Sequence, residues 1–219
     1  VVIIPFNDID RAITRLDAHK DDIACVLIDL MPHRVGLRPA DANFVDAIRS
    51  WTSKHGALLV FDEVITFRSA YGGLQERYSV TPDLTALGKA IGGGFPVGAL
   101  AGRKDVMDVM NPNNTPLLFP HSGTFSANPV TLTAGLTAMK KFDRDTIARL
   151  NALTTKAVKG IESAIAETAA TACVTGAGSM FRIHFKETSP VHFREAFTSD
   201  EENQKTKVML DHLFDAGFV

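Results

Sequence analysis

Short apolar runs alternate with amphipathic stretches through the first two thirds of this chain, and that alternation most constrains its fold. "VVIIPF" (1–6), "IACVLIDL" (23–30), "ALLVFDEV" (57–64), "DLTALGK" (83–89) and "PVGALAG" (96–102) read as strands. Between them, Asp8 to about Lys20 carries Ile9, Ile13 and Leu16 at helical spacing, with Asp8 or Asp10 as a cap. "ANFVDAIRSWTSKHG" (42–56) is a second helix that ends on a glycine. Runs apolar on both faces with helices between them predict a mainly parallel sheet with helices on both faces, an α/β fold. From there the pattern changes. A long helix is expected over about 129–142, another over 146–169, a strand over 179–185 and a last helix over 201–216. A domain boundary near residue 145 follows, giving parts 1–145 and 146–219.

Composition excludes little but does so usefully. The net charge of −2 gives no electrostatic reason to expect nucleic acid or an anionic membrane as partner. No apolar run is as long as a membrane span and no signal peptide is present, so a cytoplasmic location is expected. Cys25 and Cys173 lie in apolar surroundings and read as buried thiols rather than a disulfide. The seven histidines have no ligand-like spacing, so no metal is expected. The chain starts on an apolar run and stops just after a helix ending near Gly217, where a new apolar segment begins. Domains usually start and stop in polar segments, so this reads as an internal piece of a longer chain.

Three segments carry chemistry. "LLVFDEV" ends a strand on Asp62 and Glu63, and in open α/β sheets ligands bind at the carboxyl ends of strands. The plainer reading is a helix cap or a solvated strand end. "TALGKAIGGG" sets Lys89 before glycines. A nucleotide-binding loop needs GxxxxGK[ST], and Ala90 follows the lysine here, which argues against it. What is left is a surface lysine or an amine placed to attack a carbonyl. "HSGTFSANP" (121–129) offers Ser122, Gly123 and Thr124 as phosphate donors, or else an ordinary turn ahead of a helix. An acid, an amine and a hydroxyl-rich loop together suit pyridoxal phosphate.

The run from "LLVFDEV" through "TALGKAIGGGFPVGALAGRKDVM", with "HSGTFSANPVTLTAGLTAM" after it, resembles the class III aminotransferases. Within them it is most similar to the glutamate-1-semialdehyde aminomutase-like branch. The resemblance implies pyridoxal phosphate fold type I, seen as part of the cofactor-binding large domain and part of an α+β carboxyl-terminal domain. It implies that Lys89 forms the Schiff base and moves the substrate proton, and that Asp62 pairs with the pyridine nitrogen. Val64 would pack against the ring. Thr124 would bind the phosphate across a homodimer interface, with Ser122 and Gly123 nearby. The partners implied are a small-molecule amino donor and a keto or aldehyde acceptor. The reaction expected is transamination. An aminomutase, or a non-catalytic fragment of this fold, is the alternative.

The sequence departs from the family in three places. Ile65 stands where many members have a glutamine that reaches the cofactor's phenolic oxygen. "IDLMPHRVGLRPA" puts Asp29-Leu30 in place of glutamate-proline, and Arg34 at about the position of the aminomutase's asparagine. Arg34 is therefore the candidate donor to the phenolic oxygen or to a substrate carboxylate. His33, Arg38, Arg68 and Tyr71 are further carboxylate candidates without a rank. "FDEVITFR" is also one residue shorter than the aminomutase pattern, which favours a transaminase. The family's phosphate loop and stacking aromatic, upstream in its members, have no match in these residues.

Overall fold

The computed structural model describes residues 1–218, in two compact units: Val1–Leu30 with Ala40–Arg149, and Met31–Pro39 with Leu150 onward.

The first unit holds a four-stranded sheet of β1 (Cys25–Asp29), β2 (Leu58–Asp62), β3 (Leu84–Gly88) and β4 (Gly98–Gly102), in that spatial order. β1, β2 and β3 run parallel; β4 runs antiparallel to β3. The fifth apolar run thus forms an antiparallel edge on an otherwise parallel sheet. The cause is the connection: only Lys89–Val97 lie between β3 and β4, with a single 3₁₀ turn, Lys89–Gly92, and no crossover helix. A parallel return needs a dozen or more residues.

Helix α1 (Ile9–Asp17) is capped by Asp8, whose carboxylate accepts from the Arg11 amide at 3.1 Å. Helix α2 (Ala42–His55) buries Phe44, Val45, Ile48, Trp51 and Thr52 along one stripe and ends on Gly56 in the left-handed conformation. It packs on β1 and β2, while Trp51 Nε1 donates to Asp17 at 2.8 Å and ties it to α1. β1 buries Val26 and Ile28, leaving Cys25 and Leu27 of its opposite face exposed. The Cys25 thiol is therefore not the buried one expected, because strand alternation places it on the uncovered side.

Residues 1–6 form no strand. Val1–Ile3 are exposed, the Ile3 carbonyl accepts from Arg15 at 3.0 Å, and Pro5 has no N–H to give a ladder. The unit continues through a short α3 (Lys104–Met107) and α4 (Pro129–Lys141) into the start of α5 (Arg144–Thr168).

The second unit has the rest of α5, an antiparallel hairpin of β5 (Cys173–Ala177) and β6 (Met180–His184), and α6 (Asp200–Asp215). β5 has no counterpart among the strands read from the sequence; its Gly176 sits at φ +140, where a Cβ would collide with the Met180 carbonyl. α6 opens with a reciprocal capping box between Ser199 and Glu202. The apolar segment expected after Gly217 includes Val219, which lies outside the described residues. No helix among the described residues is long and apolar enough to cross a membrane.

Candidate active site

Three parallel strands bring their carboxyl ends to one edge of the sheet. In register, Asp29 stands opposite Asp62, and Asp62 opposite Ala86, just before Gly88 and Lys89. Asp62 is half-buried and its Oδ1 accepts from the Val64 amide at 3.0 Å. That bond turns the carboxylate back over the strand end and fixes its direction.

The neighbouring acid has a different task. Glu63 is fully buried, and its carboxylate accepts from the Thr66 hydroxyl, the Leu74 amide at 3.0 Å and the Gln75 amide at 2.7 Å. Burial pushes its pKa up, and these hydrogen bonds only partly offset that. Gly73, at φ +90, leaves room for the carboxylate: a Cβ there would stand 2.7 Å from Oε1. Glu63 thus organises the 66–75 loop, while Asp62 presents the strand end. Nothing in "DE" separates the two roles, because the donors to Glu63 lie up to twelve residues away.

Val64 lies in the turn beyond β2 rather than on the strand. It still meets the β3 end, since a Cβ on Gly88 would sit 3.3 Å from Val64 Cγ1. Ile65 follows, half-buried, ahead of the 3₁₀ turn Thr66–Ser69.

Lys89 opens its turn at φ +48, a left-handed conformation uncommon for a side-chain-bearing residue, and is exposed. Behind it the glycines serve packing. A Cβ on Gly93, itself at φ +59, would collide with the Ala134 carbonyl, and one on Gly135 with the Ile91 carbonyl. The turn and α4 therefore meet backbone to backbone.

The loop before α4 carries Ser122, Gly123 and Thr124, all exposed, with the Ser126 amide donating to the Gly123 carbonyl at 2.9 Å. Asn128 caps α4, accepting from the Val130 and Thr131 amides at 3.0 and 3.2 Å. So parallel register sets Asp62 beside the end of β3 that leads into Lys89, and Val64 meets Gly88 next to that lysine. Ser122–Thr124 occupy the loop entering the helix that backs the lysine turn.

Of the remaining candidates, the Tyr71 ring is covered by the Arg144 guanidinium at 4.3 Å. Arg34 belongs to the second unit, on the 3₁₀ turn His33–Val35, and is exposed; His33 and Arg38 lie in that unit too. At the opposite end of β3 from Lys89, the nearly buried Asp83 accepts from the Leu59 amide at 2.7 Å, Arg49 at 2.9 Å and Arg103 at 2.6 Å. Burial alone would raise its carboxyl, but the amide and the two guanidiniums outweigh it and hold it below the ordinary value. Among the described residues no cluster of three or more His, Cys, Asp or Glu is placed to hold a metal.

A family model described as "Aminotransferase class-III" matches residues 5–211. Glutamate-1-semialdehyde 2,1-aminomutase 2 of Brevibacillus brevis is 36% identical, over 92% of this chain and 47% of its own length. Glutamate-1-semialdehyde 2,1-aminomutase of Thermodesulfovibrio yellowstonii is 34% identical, over 100% of this chain and 53% of its own. The chain thus spans about half the length of the curated relatives it matches. Among solved structures, an omega-transaminase from Sphaerobacter thermophilus superposes with a TM-score of 0.87 at 46% identity, over 90% of this chain and 45% of that one. A β-phenylalanine aminotransferase from Variovorax paradoxus gives a TM-score of 0.83 at 33% identity, over 93% and 47%. The architecture is part of the pyridoxal phosphate fold type I. The chain belongs to the class III aminotransferases.

Proposed function

We propose that the protein is a pyridoxal phosphate-dependent transaminase that moves an amino group from an amino acid or amine to a keto acid or aldehyde. One observation carries the reading: Asp62 and Ala86 are register partners on adjacent parallel strands, so the carboxylate and Lys89 leave the same edge of the sheet. The donor set fits the cofactor chemically. Lys89 offers a primary amine on an exposed turn, Asp62 an oriented carboxylate, Val64 an apolar side chain beside Gly88, and Ser122–Thr124 exposed hydroxyls and amides.

When bound, pyridoxal phosphate supplies an aldehyde and a pyridinium ring that stabilises negative charge on the substrate carbon. Lys89 would hold the cofactor through its primary amine, and the same amine would move the proton at the substrate carbon. Asp62 would hold the proton on the ring nitrogen through a charge-assisted hydrogen bond. Val64 would pack against the ring. Thr124, with Ser122 and Gly123, binds the phosphate, in our reading from the neighbouring subunit of a homodimer. Residues 1–145 are part of the cofactor-binding large domain and 146–219 part of the small domain, in a cytoplasmic enzyme.

A second reading, intramolecular amino transfer, is favoured by the relatives named as aminomutases. Incubating the protein with amines and pyruvate tests between the two. Alanine formed in step with amine loss supports a transaminase; no alanine, with 5-aminolevulinate formed from glutamate-1-semialdehyde, overturns it.

A further inference from the structure

In the second unit, the turn His33–Val35 and β6 frame a small pocket of about 290 Å³, at the lower edge of the range that holds small ligands. Arg34 and Arg182 both line it, together with Phe193, Phe197 and Thr198. Among the described residues neither guanidinium is paired with a carboxylate, whereas Lys186, just beyond β6, meets Glu202 at 2.7 Å. Two arginines facing one cavity repel each other unless an anion lies between them.

The turn that carries Arg34 is held rigidly. Arg182 donates to the His33 carbonyl at 3.2 Å. The Gly36 carbonyl accepts from the Thr175 hydroxyl, and the Nε2 of the buried His184 stands 3.0 Å from the same oxygen. Gly36 itself sits at φ +77, where a Cβ would press on Pro190 at 2.9 Å and His184 at 3.3 Å. The turn is therefore clasped from three sides before any ligand arrives, which lowers the ordering cost of binding.

The apolar wall is aromatic. Phe193 and Phe197 meet edge to face, 4.9 Å between centroids, and both remain exposed. An exposed aromatic pair beside two guanidiniums without a carboxylate partner matches a molecule with a planar carboxylate at one end and a ring at the other.

We propose that this pocket binds a small aromatic carboxylate, its carboxylate between Arg34 and Arg182 and its ring against Phe193 and Phe197. It lies on the second unit alone, and the inference stands without the reaction proposed above.

The test is ¹⁹F NMR titration of the protein with 4-fluorophenylacetate and with its neutral amide, 4-fluorophenylacetamide. The acid binds, and the amide binds at least about tenfold more weakly because it cannot accept two charge-assisted hydrogen bonds. Arg34→Gln and Arg182→Gln each weaken the acid by about tenfold, and Phe197→Ala weakens both probes. Arg34 and Phe197 are exposed, so those variants keep the fold even if Arg182→Gln disturbs the clasp. Equal binding of acid and amide, or arginine variants that bind like the parent, would overturn the proposal. Displacement of the acid by inorganic phosphate as effectively as by phenylacetate would overturn the aromatic assignment.

Discussion

Gly135 of α4 lies so close to Ile91 that any side chain at the glycine would run into the Ile91 carbonyl. Ile91 is in the turn that Lys89 opens, so the position of the amine depends on a helix far along the chain. Replacing Gly135 with alanine pushes the turn off the helix. The expected cost is about 1–3 kcal/mol of stability, as for other overpacked sites. Urea denaturation should show it, together with weaker cofactor retention.

In the function proposed above, Asp62 would contribute to chemistry rather than to folding. Asp62→Asn keeps an acceptor for the Val64 amide, so the melting temperature should stay within a few degrees. The neutral amide cannot hold the ring nitrogen protonated. Stopped-flow measurement of the first half-reaction should show a loss of about 100-fold or more.

Glu63 acts the other way. Glu63→Ala removes the acceptor for Thr66, Leu74 and Gln75 and leaves buried amides unsatisfied. The expected cost is about 2–4 kcal/mol, with limited proteolysis cutting first within 66–75. Its raised pKa also has a sign. Above 4.5 the folded state binds the proton more tightly than the unfolded chain does, so this group's contribution to stability falls as pH rises toward its folded value.

Asp83 shows the opposite linkage. Its carboxyl is held below 3.8, so the folded state binds fewer protons than the unfolded chain. The stability it contributes is complete above the unfolded value and is lost as pH falls through the folded one. Asp83→Asn should cost about 1.5–3 kcal/mol at neutral pH. In urea titrations, the gap between parent and variant should close as the pH falls below 3.8.

Much of the first unit was legible because its signals are local. The Asp8 cap, the buried stripe of α2 and its Gly56 stop all follow from periodicity and end residues. Lys89 and Asp62 stand out as charged residues at the ends of apolar runs, which alternation alone makes visible. Illegible features depend on distant partners. β4 turns antiparallel because of a short connection, and β5 exists because β6 pairs with it across a glycine. The glycines after Lys89 suggest a ligand cradle or a close backbone approach. Only Ala134 and Gly135, some forty residues on, show that α4 makes that approach. Likewise, the clasp that holds Gly36 joins residues nearly 150 positions apart.

Chemical trapping tests directly whether Lys89 holds the cofactor. The protein is mixed with pyridoxal phosphate, reduced with borohydride, digested and mapped by mass spectrometry. A visible absorption band is expected before reduction, with one dominant modified peptide carrying the adduct on Lys89, and both are lost in Lys89→Ala. No visible band, with adducts scattered over surface lysines and unaffected by Lys89→Ala, would contradict it.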